Sequence, residues 1–396
     1  VLWNFNTVPQ DETDQGWDIA GPTWVGNERN GGGIWETPSI DPELELVYFA
    51  VGNPFGDSTE RDGMNLFSDS LIALTLDEGT LEWYYQQVHH DVWDYDSGNQ
   101  PILFDMEVDG QPVKAMAQAN KNSWLYILNR ETGEPVHPII ETPVSTVTDT
   151  EGEVPYPTQP IPHKANGERM EPVSPVYPTD IPAQHMEANN LVEQFTPIGP
   201  NQIFSPGYGG GSSYSPISHS PLTGLLYVAA IDQPFNSGRD PKGYFSAYDP
   251  TTGELIWRQI FEGYGQAGSV VTAGGIVFVG DVVAVVVDAV ADFGGRRVDR
   301  GIRLVAVPVA GGDGVGVLVE ALVDCGVAVV VLEIADLGGS RVDVALRVTA
   351  IGVVRHPARR RITIGTAAGV LIECLEPHLR RFVASRPAVD PRIDPE

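Results

Sequence analysis

The chain has 396 residues, with 53 Asp plus Glu against 24 Lys plus Arg and a formal net charge of −29. That balance excludes nucleic acid as a partner, because phosphate binding needs a basic face, and it disfavours docking on an anionic membrane. No uncharged apolar run reaches membrane-spanning length, since Asp313, Glu320, Asp324 and Glu333 interrupt the most Val-rich stretch.

The charge is unevenly spread. Residues 1–280 hold 38 of the acids but only 10 of the basic residues, so −28 belongs to them and −1 to 281–396. An acidic front with four lysines resembles proteins adapted to high salt, where surface charge maintains solubility. From Asp281 onward there is no Trp, Tyr, Lys, Asn, Gln or Met, and both cysteines, Cys325 and Cys374, lie there. Two isolated cysteines make neither a disulfide framework nor a metal cluster. The opening at Val1-Leu2-Trp3, with no initiator Met and no leader, reads as a piece of something longer.

In chain order, the front reads as short strands between Gly, Pro, Asn and Asp clusters, as in Leu46-Val47-Tyr48-Phe49-Ala50-Val51 and Leu225-Leu226-Tyr227-Val228-Ala229-Ala230. Pro42-x-x-x-Leu46-Val47-Tyr48 recurs at Pro221-x-x-x-Leu225-Leu226-Tyr227. Ala73 followed by Gly79 and Trp83 recurs, at identical spacing, as Ala247, Gly253 and Trp257, with a partial copy at Leu128-Asn129-Arg130-Glu131-Thr132-Gly133-Glu134. Each copy reads as strand, tight Gly turn, strand, and a Trp closing the hairpin against its neighbour. Units this small must stack to bury their faces. An all-β propeller is the expected solution, with stacked β-sandwiches as the other. Residues 137–203 break the rhythm with twelve prolines and are expected to form a long loop over one face.

The densest chemistry is His89-His90-Asp91-Val92-Trp93-Asp94-Tyr95-Asp96. In strand geometry Asp94 and Asp96 share a face, as do Trp93 and Tyr95. Two carboxylates on one face call for a cation or a buried proton, so this is a candidate site for Ca²⁺ or a similar hard ion. The other reading is a turn decorated with acids and histidines.

That cluster, with Val51-Gly52-Asn53-Pro54, Gly31-Gly32-Gly33-Ile34-Trp35 and Thr272-Ala273-Gly274-Gly275-Ile276-Val277-Phe278-Val279-Gly280, resembles the pyrroloquinoline-quinone (PQQ)-dependent alcohol, glucose and polyol dehydrogenases. The intervals Trp35 to Asn53, Asn53 to Asp94 and Asp94 to Lys121 also fit that family. The resemblance covers 1–280 and implies part of an eight-bladed propeller of the quinoprotein type. It implies oxidation of a small alcohol, sugar or polyol in the periplasm, with electrons leaving to a cytochrome c or a membrane quinone. Asp94 matches the catalytic base, which takes the hydroxyl proton while hydride passes to the quinone. Asn53 and Asp94 match ligands of the active-site cation. Asp96 matches an extra acid found in lanthanide-using alcohol dehydrogenases and also in glucose-type members, so Ca²⁺ and a lanthanide both stay open. Lys121 matches the cation that hydrogen-bonds the quinone oxygens, Trp35 the indole under its ring, and Tyr214 a second ring contact from the repeat aligned on Tyr227.

Ser213-Tyr214 stands where many members have Asn-Trp, and the family's adjacent-cysteine disulfide is absent. The family's glutamate ligand would fall upstream of Val1, so the chain alone is expected to have an incomplete metal site and little activity. Non-enzymatic propeller scaffolds of outer-membrane assembly share the Ala-Gly-Trp repeat but have no use for Asn53, Asp94 and Lys121 at these intervals. The segment 281–396 abandons the family pattern after Asp281. It is expected to be an unrelated segment of doubtful fold, from out-of-frame or antisense translation, with a fused domain as the other reading.

Overall fold

The computed structural model describes residues 2–272 and 276–279, and beyond them strands at Ala284–Val287, Ile302–Val307, Gly314–Val323, Gly326–Asp336 and Val344–Val354. The chain divides into two units, Val1–Val282 and Val283–Glu396. In the second, the last four strands pair in order into an antiparallel sheet. The origin expected for 281–396 lies outside what the described residues address.

The first unit is built from antiparallel sheets laid down in chain order. One contains Ser39–Asp41, Leu46–Ala50, Ser70–Thr75 and Leu81–Gln86; the next contains Ile102–Val108, Gln111–Ala119 and Leu125–Asn129. A third contains Ser218–His219, Leu226–Asp232, Lys242–Asp249 and Glu254–Glu262, and another begins with the pair Ser269–Val271 and Ile276–Val279. The first strand of each sheet lies against the first strand of the next, so the sheets are arranged radially as propeller blades.

The repeat has a physical cause. In both complete blades the Ala–Trp pair faces across a hairpin and the next step skips a residue: Ala73 pairs Trp83 while Leu74 pairs Leu81, and Ala247 pairs Trp257 while Tyr248 pairs Leu255. The bulge turns the Trp toward the neighbouring blade. Trp83 donates from Nε1 to the Arg130 carbonyl at 3.1 Å, and its ring lies on Gly133, whose Cβ would stand 2.6 Å from the indole. Trp3 repeats this one blade earlier, donating to the Leu76 carbonyl at 3.0 Å with its ring over Gly79. Both carbonyls sit three residues before the glycine, and both glycines have φ near +70°, at 74° and 67°. The turn therefore needs glycine twice over, for its left-handed backbone and for the flat seat it offers.

The Pro-rich segment, expected to be a long loop without strands, contains short ladders. Ile139–Pro143 and Thr158–Pro162 form a five-pair antiparallel ladder, Ala183–Ala188 forms a short helix, and Asn190–Leu191 pairs in parallel with Gln202–Ile203. Prolines are tolerated because these ladders have two strands, so every strand is an edge with a row of N–H groups that need no partner. Side chains of the segment, Ile161 and Phe195 among them, pack on Val88, Trp93, Tyr95, Trp124 and Tyr126. The excursion thus clamps the two connections that carry the chemical residues.

Candidate active site

The chemical residues lie on irregular connections between strands. The segment after Leu81–Gln86 is shaped by Asp91, whose carboxylate accepts from the backbone N–H of Trp93 at 2.7 Å and of Tyr95 at 2.6 Å. Acceptance from residues two and four ahead is an Asx-type turn, which competes with regular strand. Burial pushes the Asp91 carboxyl up to about 6 even though those two donors favour its charge. Within this turn Asp94 has φ 66°, in the left-handed region. Asp94 and Asp96 do converge, but through this turn rather than through strand alternation.

Their meeting point is Lys121. Its ammonium lies 3.0 Å from Asp94 Oδ2 and 2.8 Å from Asp96 Oδ2. Lys121 sits in a turn held by its own asparagines: Asn120 accepts from the Asn122 N–H at 2.8 Å, and Asn122 accepts from the Trp124 N–H at 3.0 Å. The other Asp96 oxygen, Oδ1, accepts from the Asn53 backbone N–H at 3.0 Å and from Trp35 Nε1 at 3.3 Å. Burial opposes the Asp96 charge, but Lys121 and these donors outweigh it and hold the carboxyl below its usual range. Burial likewise opposes the Lys121 charge, and the paired acids hold that ammonium above its usual range. Asp94 is the contrasting member. It is half-buried, and burial together with the Asp96 charge raises it to about 7 despite Lys121.

Trp35 completes the group. Its indole is 38% exposed, its edge meets Gly98, and the Tyr214 ring stands 4.5 Å away at 44°. A Cβ on Gly98 would come within 2.8 Å of the indole, so the seat requires a bare backbone. Tyr214 is 64% exposed and donates its backbone N–H to the Gly98 carbonyl at 3.2 Å. Trp35, Asn53, Asp94, Asp96, Lys121 and Tyr214 therefore fall in one place, although Asn53 reaches Asp96 by its backbone. The histidines face elsewhere: His89 meets Gln86 and Glu141, and His90 meets the Gly63 carbonyl at 3.1 Å.

Three supporting residues are not among those to which the sequence assigns a role. Asn99 donates to the carbonyls of Ala119 at 2.7 Å and Ser212 at 2.9 Å and accepts from Ser215 N–H at 2.6 Å, tying three connections together. Asp91 carried a signal, since an acid before a short polar run favours Asx turns. Asp69 carried none. It is fully buried, neither carboxylate oxygen has a hydrogen-bond partner among the described residues, and burial with the charges of Asp91 and Asp96 drives it well above the usual carboxylate range against the pull of Arg61.

Asp69→Asn is expected to raise stability at pH 7 by about 1–3 kcal/mol, because the neutral amide removes the cost of ionising a buried carboxyl that has no partner. A carboxyl raised in the folded state penalises folding once pH exceeds its unfolded value, so the gain should vanish as pH falls toward 4. Thermal unfolding of both proteins at pH 7 and pH 4 checks this, and a gain that ignores pH would contradict it.

Residues 1–238 match the family model described as the glucose/ethanol/alcohol dehydrogenase β-propeller domain, PQQ. The chain belongs to this family. Its propeller is accordingly of the quinoprotein dehydrogenase type. It is 29% identical over 339 residues to quinohemoprotein alcohol dehydrogenase ADH-IIG of Pseudomonas putida, covering 74% of this chain and 43% of that one. It is 30% identical over 295 residues to the putative dehydrogenase XoxF of Paracoccus denitrificans, covering 67% and 45%. The solved structure of ADHIIG from Pseudomonas putida HK5 superposes with a TM-score of 0.51 at 25% identity, covering 80% of this chain and 50% of that one. The chain thus spans about half the length or less of these quinoprotein relatives.

Proposed function

We propose that the quinoprotein to which this chain belongs oxidises CH–OH groups of a small alcohol, sugar or polyol, with Asp94 as the base. The observation that carries the reading is Asp94 itself: a half-exposed carboxylate raised to about 7, fixed 3.0 Å from a buried ammonium and grouped with an exposed indole. A base poised near neutral pH takes a hydroxyl proton most effectively.

The residues present suit the quinone. An indole of this size, left more than a third exposed among buried polar groups and flanked by Tyr214, offers a stacking surface for a planar ring, and Lys121 offers N–H donors at its edge. Asp94, Asp96 and Asn53 supply oxygen donors of the kind that Ca²⁺ or a lanthanide takes; their two charges exceed the one that Lys121 neutralises. When bound, the quinone accepts hydride and the cation polarises its carbonyl. The chain's own residues do the rest. Asp94 Oδ accepts the substrate proton, Lys121 keeps Asp94 and Asp96 in register, and the Pro-rich segment holds the Asp94 connection rigid. Electrons would then leave to a cytochrome c or a membrane quinone, and the setting would be periplasmic.

Titrating the chain with PQQ in the presence of Ca²⁺ or La³⁺ tests this reading. Saturable quenching of tryptophan fluorescence is expected, with a clearly smaller amplitude in Trp35→Phe. No quenching with either cation, or quenching indifferent to Trp35, would count against it.

A further inference from the structure

Beside Asp94 lies an aromatic surface outside the residues assigned above to the quinone and the cation. The segment 204–214 crosses the Asp94–Gly98 connection and is tied to it at two points: Tyr95 Oη donates to the Pro206 carbonyl at 2.6 Å, and Tyr214 N–H donates to the Gly98 carbonyl at 3.2 Å. Between these ties stands Tyr208, 39% exposed, whose hydroxyl makes no hydrogen bond among the described residues. Its ring meets Phe235, 37% exposed, at 4.8 Å and 63°, and buried Phe204 at 5.7 Å and 78°. Phe204 and Phe235 stack at 5.1 Å and 28°. The backbone locks the trio in place, since Phe235 N–H donates to the Phe204 carbonyl at 2.9 Å and Gly207 N–H to the Gln233 carbonyl at 3.1 Å. Burial and then the charge of Asp94 raise the Tyr208 phenol, which places that ring within electrostatic reach of the carboxylate.

A rigid apolar wall next to a base has a consequence for substrate choice. A polyhydroxylated molecule pressed against ring faces loses water from hydroxyls that find few partners there, and each unpaired hydroxyl weakens its binding. An alkyl chain or aryl ring gains by the same contact. We propose that Tyr208 and Phe235, seated on Phe204, form the substrate wall beside Asp94 and select alcohols bearing an apolar chain or aryl ring over polyols and sugars. This rests on the reading of Asp94 as the base but is tested apart from it.

Saturation-transfer NMR on the purified chain, with benzyl alcohol and glycerol as probes, reads the wall without any quinone. Strong transfer to benzyl alcohol and little to glycerol is expected. Phe235→Leu and Tyr208→Ser should each reduce the benzyl alcohol signal several-fold, while Tyr208→Phe should preserve it. In the quinone-loaded full-length enzyme, the kcat/KM ratio of benzyl alcohol to glycerol should fall about tenfold or more in Phe235→Leu, mainly through KM, as expected for lost apolar contact. Equal transfer to the two probes would overturn the proposal, as would a benzyl alcohol signal unchanged in both Phe235→Leu and Tyr208→Ser. Absence of any quinone-linked turnover with the NMR pattern intact would defeat the role of Asp94 and leave the wall standing.

Discussion

Asp94→Asn is expected to lower kcat of the quinone-loaded full-length enzyme by about 10²–10⁴-fold, the usual worth of a positioned general base. The amide keeps the shape of the carboxylate but cannot take a proton, so quinone binding, read by tryptophan quenching, should change far less than turnover. The pH dependence has a definite sign. The base works only when unprotonated, so the wild-type rate should rise with pH and level off above the carboxyl's own value. Burial and Asp96 set that value at about 7. A cation bound to the same carboxylate stabilises the charged form and moves the limb lower. A wild-type rate that falls between pH 5 and 7, or an Asn variant within threefold of wild type, would remove Asp94 from the role of base.

Lys121→Met is expected to cost about 3 kcal/mol of stability at pH 7. Removing one partner of a buried ion pair typically costs about 3–5 kcal/mol, and the low end applies because Asp94 remains half in water. Asp96, nearly buried, would lose its closest counter-charge and face Asp94 unscreened. With the ammonium gone, the folded state favours a proton on one of the two carboxyls. The deficit should therefore be largest above the ordinary carboxylate range and shrink as pH falls, because a carboxyl raised in the folded state destabilises only when ionised. Urea unfolding midpoints at pH 7 and pH 5 measure this. La³⁺ or Ca²⁺ at millimolar concentration should recover part of the loss, since either ion supplies positive charge to the same oxygens. A variant as stable as wild type at pH 7 would mean that the three charged groups are solvated rather than coupled.

Much of the fold was legible because it is repetitive. The Ala-Gly-Trp interval encodes a bulged hairpin, a left-handed glycine and an indole aimed at the next blade, and all three are local consequences of a short sequence. The repeat does not flag Trp3, which has no Ala or Gly at the repeat's intervals before it. The Pro-rich excursion was misjudged for a definable reason. Proline forbids a ladder hydrogen bond on its own N–H, but Pro143, Pro160 and Pro162 lie in a two-stranded hairpin, where half the N–H groups point away from any neighbour.

Composition by itself determined that −28 of the net charge of −29 belongs to the first 280 residues, and the repeat by itself determined an all-β architecture of stacked units, with a propeller as the expected form. The resemblance to the quinoprotein dehydrogenases picked out Trp35, Asn53, Asp94, Asp96, Lys121 and Tyr214 as a group. The tertiary structure alone decided how they meet. Asp91 turns the chain so that Asp94 adopts a left-handed backbone, which no alternation of strand faces would supply. Lys121 arrives from a different blade and, against burial, holds Asp96 below its ordinary range, while burial and the Asp96 charge keep Asp94 above it. Tyr208, more than a hundred residues from Asp94 in the chain, comes near it because hydrogen bonds made by Tyr95 and Tyr214 hold its segment across, and Phe235 joins it through ring contact. Local intervals carry local geometry, whereas charge balance and the shape of a pocket depend on what folding brings from elsewhere in the chain.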